Sequence, residues 1–302
     1  MTISEELKKA VKLVPETSLV LQEFLAVIAG KKPVLAVTFS DKSQRELIKS
    51  NFPNLNVCCS KKPCFGSQQV CAISRNKSLA RQTAEYLSAD TREQGRLLGY
   101  PECCVKQHAD FSMRGLGLNA PLVVYESYKN SKKCNFLTNN LLNFYSRLGK
   151  EKKNFECLNK YYYLNRDFPV SLWNLQFISH TPCSYDCKES IKMGKEVQKL
   201  LKKYAPDVEK VISYTLSKPV LFFDLFKWII FEGKVKESTL FYKRIIPPIS
   251  LVESSFFDII KKGNKIIVDK NKVEILRDNL SLYLYSKKNK QDGFILDFNK
   301  KE

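Results

Sequence analysis

Apolar positions along this chain change their period several times. From Ser4 to Ala29 they recur at helical spacing among charged residues, which predicts one or two amphipathic helices ending near Gly30. Val34 to Phe39 is a continuous apolar run closed by Ser40-Asp41, a buried strand followed by a turn. Ser43 to Asn51 returns to helical spacing and Pro53 stops it. Leu55 to Cys59 and Val70 to Ser74 are two more strands, and strand–helix–strand alternation predicts an α/β layer. A helical stretch runs from Leu79 to Leu98 with an interruption near Ala89-Asp90, and Gly99 ends it.

The pattern then becomes polar. Asn130 to Lys133 and Gly149 to Asn154 are loops, Tyr161 to Asp167 is aromatic and polar, and Val170 to Ile178 is apolar. A helix is predicted from Thr181 as N-cap and Pro182 as first helical residue through Tyr204, stopped by Pro206. Beyond it, strand patterns dominate: Val220 to Glu232, Thr239 to Ile246 before Pro247-Pro248, Asp258 to Val268 with a turn at Gly263-Asn264, Leu280 to Tyr285, and Phe294 to Phe298. The predicted fold is α+β: an N-terminal α/β cysteine-rich domain over residues 1–206 and a smaller, mainly β domain over 207–302.

Ten cysteines and only two histidines direct attention to two short segments. The first is Gly99-Tyr100-Pro101-Glu102-Cys103-Cys104, with His108 one helical turn beyond. The second is His180-Thr181-Pro182-Cys183-Ser184-Tyr185-Asp186-Cys187. In each, a proline leads cysteines into the start of a predicted helix, where free N–H groups and the helix dipole favour thiolates. Cys183 and Cys187, four apart, would share a helix face, while the neighbours Cys103 and Cys104 diverge by about 100°. Metal ligands are therefore expected among Cys103, Cys104, Cys183 and Cys187, with His180 as a fourth ligand or a proton donor. His180, Cys103 and Glu102 are the candidate catalytic groups, although Glu102, like Asp186, equally suits a helix start. A second group, Cys58, Cys59, Cys64 and Cys71, has irregular spacing and two strand-like members; Cys134 and Cys157 stand alone.

Vicinal cysteines and one-turn spacing favour a [4Fe–4S] iron–sulfur cluster over zinc. Three readings follow: an iron–sulfur enzyme acting on a small molecule or RNA, a zinc-stabilised basic RNA-binding or RNA-modifying protein, and a metal-free thiol enzyme. The net charge of +19 favours contact with nucleic acid, although the basic residues are mostly lysines beside asparagines, as in a lysine-rich proteome. Apolar content of 44% and charged content of 27% are ordinary for a globular protein. No apolar run approaches a membrane span, and the first thirty residues lack the order of a secretion signal. A cytoplasmic protein is expected, whose cysteines bind metal or do redox chemistry rather than form disulfides. No phosphate loop, dinucleotide fingerprint, His-Glu-x-x-His or Gly-x-Ser-x-Gly is present.

The paired motifs, from Leu98 to Val105 and from His180 to Ser190, resemble an uncharacterised, largely archaeal family catalogued as domain of unknown function 483. The resemblance extends from about Val34 to about Tyr242. It implies that Cys103, Cys104, His180, Cys183 and Cys187 form the common site, and it implies no reaction.

Overall fold

The first amphipathic stretch forms two helices. Ile3–Leu13 (α1) opens on a capping box in which the Glu5 N–H donates to the Thr2 hydroxyl at 3.3 Å and the Thr2 N–H donates to the Glu5 carboxylate at 2.6 Å. Leu21–Ile28 (α2) buries Phe24, Leu25 and Ile28 completely. The fully buried carboxylate of Glu6 accepts from the Arg75 guanidinium and, at 2.9 Å, from Asn54. Arg75 also donates to the Ile28 carbonyl at 3.0 Å, so α1 and α2 are tied to the sheet behind them. A computed structural model describes residues 1–14, 19–39, 41–61, 69–86, 91–113, 120–141, 175–224, 227–246 and 255–298. Cys64, Cys157, Pro247-Pro248, the aromatic stretch Tyr161 to Asp167, the loop Gly149 to Asn154 and the first part of Val170 to Ile178 lie outside the described residues.

The predicted strands form at Leu35–Thr38 (β1), Asn56–Cys59 (β2) and Val70–Ser74 (β3), with Lys42–Asn51 (α3) between the first two. The strand–helix–strand order is as expected, but the sheet runs β1-β3-β2, so each outer strand is antiparallel to the last one in sequence. Cys59 and Cys71 face each other across β2 and β3 and form a disulfide. This corrects the expectation that the cysteines bind metal or do redox chemistry rather than form disulfides. Cys58, pointing to the opposite face, packs with Val34, Ala72, Ala84 and Leu98.

Lys77–Tyr86 (α4), Thr91–Leu97 (α5), Glu102–Met113 (α6) and Ala120–Lys129 (α7) follow, then a 3₁₀ turn at Phe136–Thr138. Lys188–Tyr204 (α8) and Pro206–Leu216 (α9) lead into seven strands. These are Val220–Phe222 (β4), Trp228–Lys236 (β5), Thr239–Ile246 (β6), Lys265–Val268 (β7), Lys272–Arg277 (β8), Leu280–Ser286 (β9) and Phe294–Leu296 (β10), in one antiparallel sheet ordered β10-β4-β5-β6-β7-β8-β9. Ser255–Lys262 (α10) covers part of one face. The C-terminal part is thus mainly β and the whole is α+β, as the patterning predicts.

Alternation along β4 and β5 explains the apolar runs at 220–223 and 228–231. Val220, Phe222, Trp228 and Ile230 face the main core with α1, α2 and α8, while Leu221, Phe223, Ile229 and Phe231 face a second core with α10. A strand buried on both faces has no polar side to display. The main core also crosses the expected boundary at 206/207, where Gln198 of α8 donates to Glu209 at 2.6 Å and Ser213 at 3.2 Å on α9.

Candidate metal centre

Each motif is delivered by a different kind of chain reversal. At the end of α5, Gly99 adopts φ 74°, its N–H donates to the Arg96 carbonyl at 2.9 Å and the Tyr100 N–H donates to the Gly95 carbonyl at 3.0 Å. This paired closure needs a left-handed residue, and a Cβ there would overlap the Pro33 ring. Pro101 then leads into α6, its carbonyl accepting from the N–H groups of Cys104 and Val105, so Cys103 and Cys104 sit in the first turn.

The second motif differs from its prediction. Residues 183–186 form a bend and a turn, and α8 begins only at Lys188 with Cys187 as its N-cap residue. Cys183 and Cys187 are therefore not stacked one turn apart on a helix. They belong to a loop held from outside: Ser127 donates to the Pro182 carbonyl at 2.7 Å, the Tyr185 N–H donates to the Ser131 hydroxyl at 2.7 Å, Thr138 donates to the Tyr185 carbonyl at 2.6 Å and Asn140 donates to the His180 carbonyl at 3.1 Å. Gly194 lets the 3₁₀ turn lie against α8, since a Cβ there would come within 2.9 Å of the Leu137 carbonyl oxygen.

The two segments bring Cys103, Cys104, Cys183 and Cys187 together, all four sulfurs within 4.8 Å of one another. Cys103 lies 3.9 Å from Cys104 and 3.7 Å from Cys187, and Cys104 lies 3.8 Å from Cys187. The Cys183 N–H donates to the Cys104 sulfur at 3.3 Å. Cys104 and Cys187 are buried, Cys183 is half-buried and Cys103 is exposed. Four adjacent thiols share their protons unequally. Hydrogen bonds from Cys104 and Cys183 hold Cys187 far below the ordinary thiol range, and hydrogen bonding to Cys183 and Cys187 drives Cys104 far above it. The bond with Cys104 lowers Cys183, but Cys187, burial and Cys103 together outweigh it and push Cys183 up to about 12. A metal dication would replace those shared protons and let all four thiolates form.

His180 stands one hydroxyl away from the sulfurs. Its Nε2 is 2.8 Å from the Ser190 hydroxyl, which is 3.3 Å from the Cys104 sulfur. Burial, reinforced by Lys32, lowers its pKa to about 3, so the imidazole is neutral. Its ring lies against Tyr100, centroids 4.9 Å apart. Glu102 faces outward and pairs with Arg96 at 2.7 and 3.0 Å, which holds its carboxyl below the usual range. Asp186 accepts from the Lys132 N–H at 3.1 Å, holding the loop. His108 does not join the sulfur group. Patterning missed Ser190, Ser127, Ser131, Thr138 and Asn140. Ser131 falls in a predicted loop and Ser190 in a predicted helix, and nothing in the pattern marks Ser127, Thr138, Asn140 and Ser190 as the buried residues they are.

No protein-family model matches the chain, no curated protein is similar to it, and no solved structure matches its fold.

Proposed function

We propose that the four cysteines hold a single zinc ion and that the protein is a zinc-stabilised, basic nucleic-acid-binding protein. One observation carries the first part: three sulfur–sulfur separations of 3.7, 3.8 and 3.9 Å. Ligands placed tetrahedrally at a zinc–sulfur distance of about 2.3 Å stand about 3.8 Å apart. In a four-iron cluster each thiolate binds its own iron and radiates from the cluster, so the sulfurs stand farther apart. The spacing thus favours a single-metal centre over the cluster that the motifs alone favour. Four protein ligands close the coordination sphere, the mark of a structural site. Such a site would clamp the start of α6 to the loop before α8. The Cys183 N–H and the Ser190 hydroxyl, both directed at Cys104, would disperse thiolate charge. Metal and acid-labile sulfide analysis of protein purified without oxygen tests this.

The nucleic-acid part rests on an open groove beside the β5–β6 hairpin. Lys218, Lys234, Lys243, Lys261, Lys265 and Arg277 line it against two acids, Glu232 and Asp278. Glu232 is taken up by Arg244 and Tyr214, and Asp278 accepts from Asn264 at 2.8 Å. Phe241, 47% exposed, lies in the same groove. A cationic groove with an exposed aromatic ring suits single-stranded nucleic acid, which binds by phosphate contact and base stacking.

A further inference from the structure

A cavity of about 260 Å³ lies among α2, the residues leading into α6, the segment before His180 and the first turns of α8. Its walls include Gly99 and Pro101, Ser179, and Glu189 to Val197, which are the chain segments that the cysteines join. Three lysines and three glutamates line it, so it carries no net charge. The innermost pair is already satisfied: Lys32, 6% exposed, donates to Glu23 at 2.6 Å and to Ser179 at 3.1 Å and lies over the Tyr100 ring. Lys31 pairs with Glu196 at 3.3 Å.

The amides are not satisfied. Gln22 is 1% exposed and neither its Nε2 nor its Oε1 has a hydrogen-bond partner; Gln176 is 4% exposed and its Oε1 has none. Buried polar atoms are paired in the great majority of cases, so three amide atoms without a partner in the chain, on two residues that line one cavity, point to a partner from outside it. A free carboxamide presents a donor beside an acceptor, which matches an edge with an acceptor beside a donor, as when glutamine reads adenine. The neutral wall disfavours a phosphate or a carboxylate, and the pairs Lys32–Glu23 and Lys31–Glu196 already occupy four of its six charges. Phe177, Ile178, Met193 and Val197 supply apolar walls for a flat ring.

We propose that this cavity binds a nucleobase, with the Gln22 amide on its hydrogen-bonding edge. The proposal deepens the nucleic-acid reading and rests on it for the source of the base, either a free nucleoside or a base turned out of a single strand.

The experiment uses zinc-containing full-length protein. Binding of the four common nucleosides and of a short single-stranded oligoribonucleotide is followed by calorimetry, for the wild type and for Gln22→Met and Gln176→Leu. Zinc content and thermal midpoint are read on the same samples. Gln22→Met keeps the side-chain length and removes the unpaired amide. It should leave the midpoint unchanged or higher while weakening base binding about tenfold or more. Nucleoside binding with that loss identifies a free-nucleoside site. Oligomer binding alone, weakened by the same variant and by removing its bases, identifies a base presented by RNA. Absence of both in protein that retains zinc overturns the cavity proposal and leaves the metal centre standing. Binding unchanged in both variants overturns it equally.

Discussion

Four sulfurs within 4.8 Å of one another can all be ionised only around a cation, so residue-scale chemistry here concerns what compensates their charge. Ser190 is fully buried between the Cys104 sulfur and His180 Nε2, which makes it the link from the sulfur group to the imidazole. Ser190→Ala should weaken zinc affinity about 10- to 100-fold in competition with a chromophoric chelator, without loss of fold at saturating zinc. His180 makes the pH dependence testable. Its pKa falls from the ordinary 6.5 to about 3 in the folded protein, so between these values the unfolded chain binds more protons. Stability is then fully present above about pH 6.5 and is lost as the pH falls toward 3, by roughly 3–5 kcal/mol if the ring stays buried. Denaturation midpoints at pH 7.5 and 5.5 should show the drop in wild type and a flatter response in His180→Gln. Equal slopes would remove the buried imidazole as its cause.

Among the elements, the reversal at Gly99 aims the first motif. Gly99→Ala must hold a side chain at φ 74° against Pro33, and should cost about 1–3 kcal/mol in chemical denaturation together with weaker zinc binding. The first motif was legible in the sequence for the same reason: glycine, proline and the helix start are local rules, and Gly99, Pro101 and Cys103 obey them. The second was legible as ligands but not as conformation. Thr181 and Pro182 satisfy local rules for a helix start, yet long-range hydrogen bonds from Ser127, Ser131 and Thr138 hold the loop open until Lys188. Strands β4, β6, β9 and β10 follow from their alternation or continuous apolarity. In contrast, α7, α9 and α10 are short helices among aromatic and β-branched residues, where tertiary packing overrides local preference. The Cys59–Cys71 bridge depends on the register of β2 against β3, which no spacing in the sequence reveals.

Across the whole molecule, charge and core are arranged separately. The main core joins α1, α2, α8 and α9 to one face of the seven-stranded sheet, and the basic groove opens beside the β5–β6 hairpin. Among the described residues no helix is long and apolar enough to cross a membrane. Fluorescence anisotropy with a labelled single strand should show the logarithm of affinity falling linearly with the logarithm of salt concentration. The double variant Lys234→Glu, Lys265→Glu should bind more weakly and with a shallower slope; an affinity indifferent to salt would rule out phosphate contacts in the groove.

The account turns on the nature of the centre that Cys103, Cys104, Cys183 and Cys187 form. Its most direct test is elemental and acid-labile sulfide analysis of the full-length protein purified under anaerobic conditions. One zinc per chain in colourless protein, without sulfide and lost in Cys183→Ser, is the predicted result. Brown protein carrying iron and sulfide in equal amounts would contradict it, and would return the two motifs to a cluster.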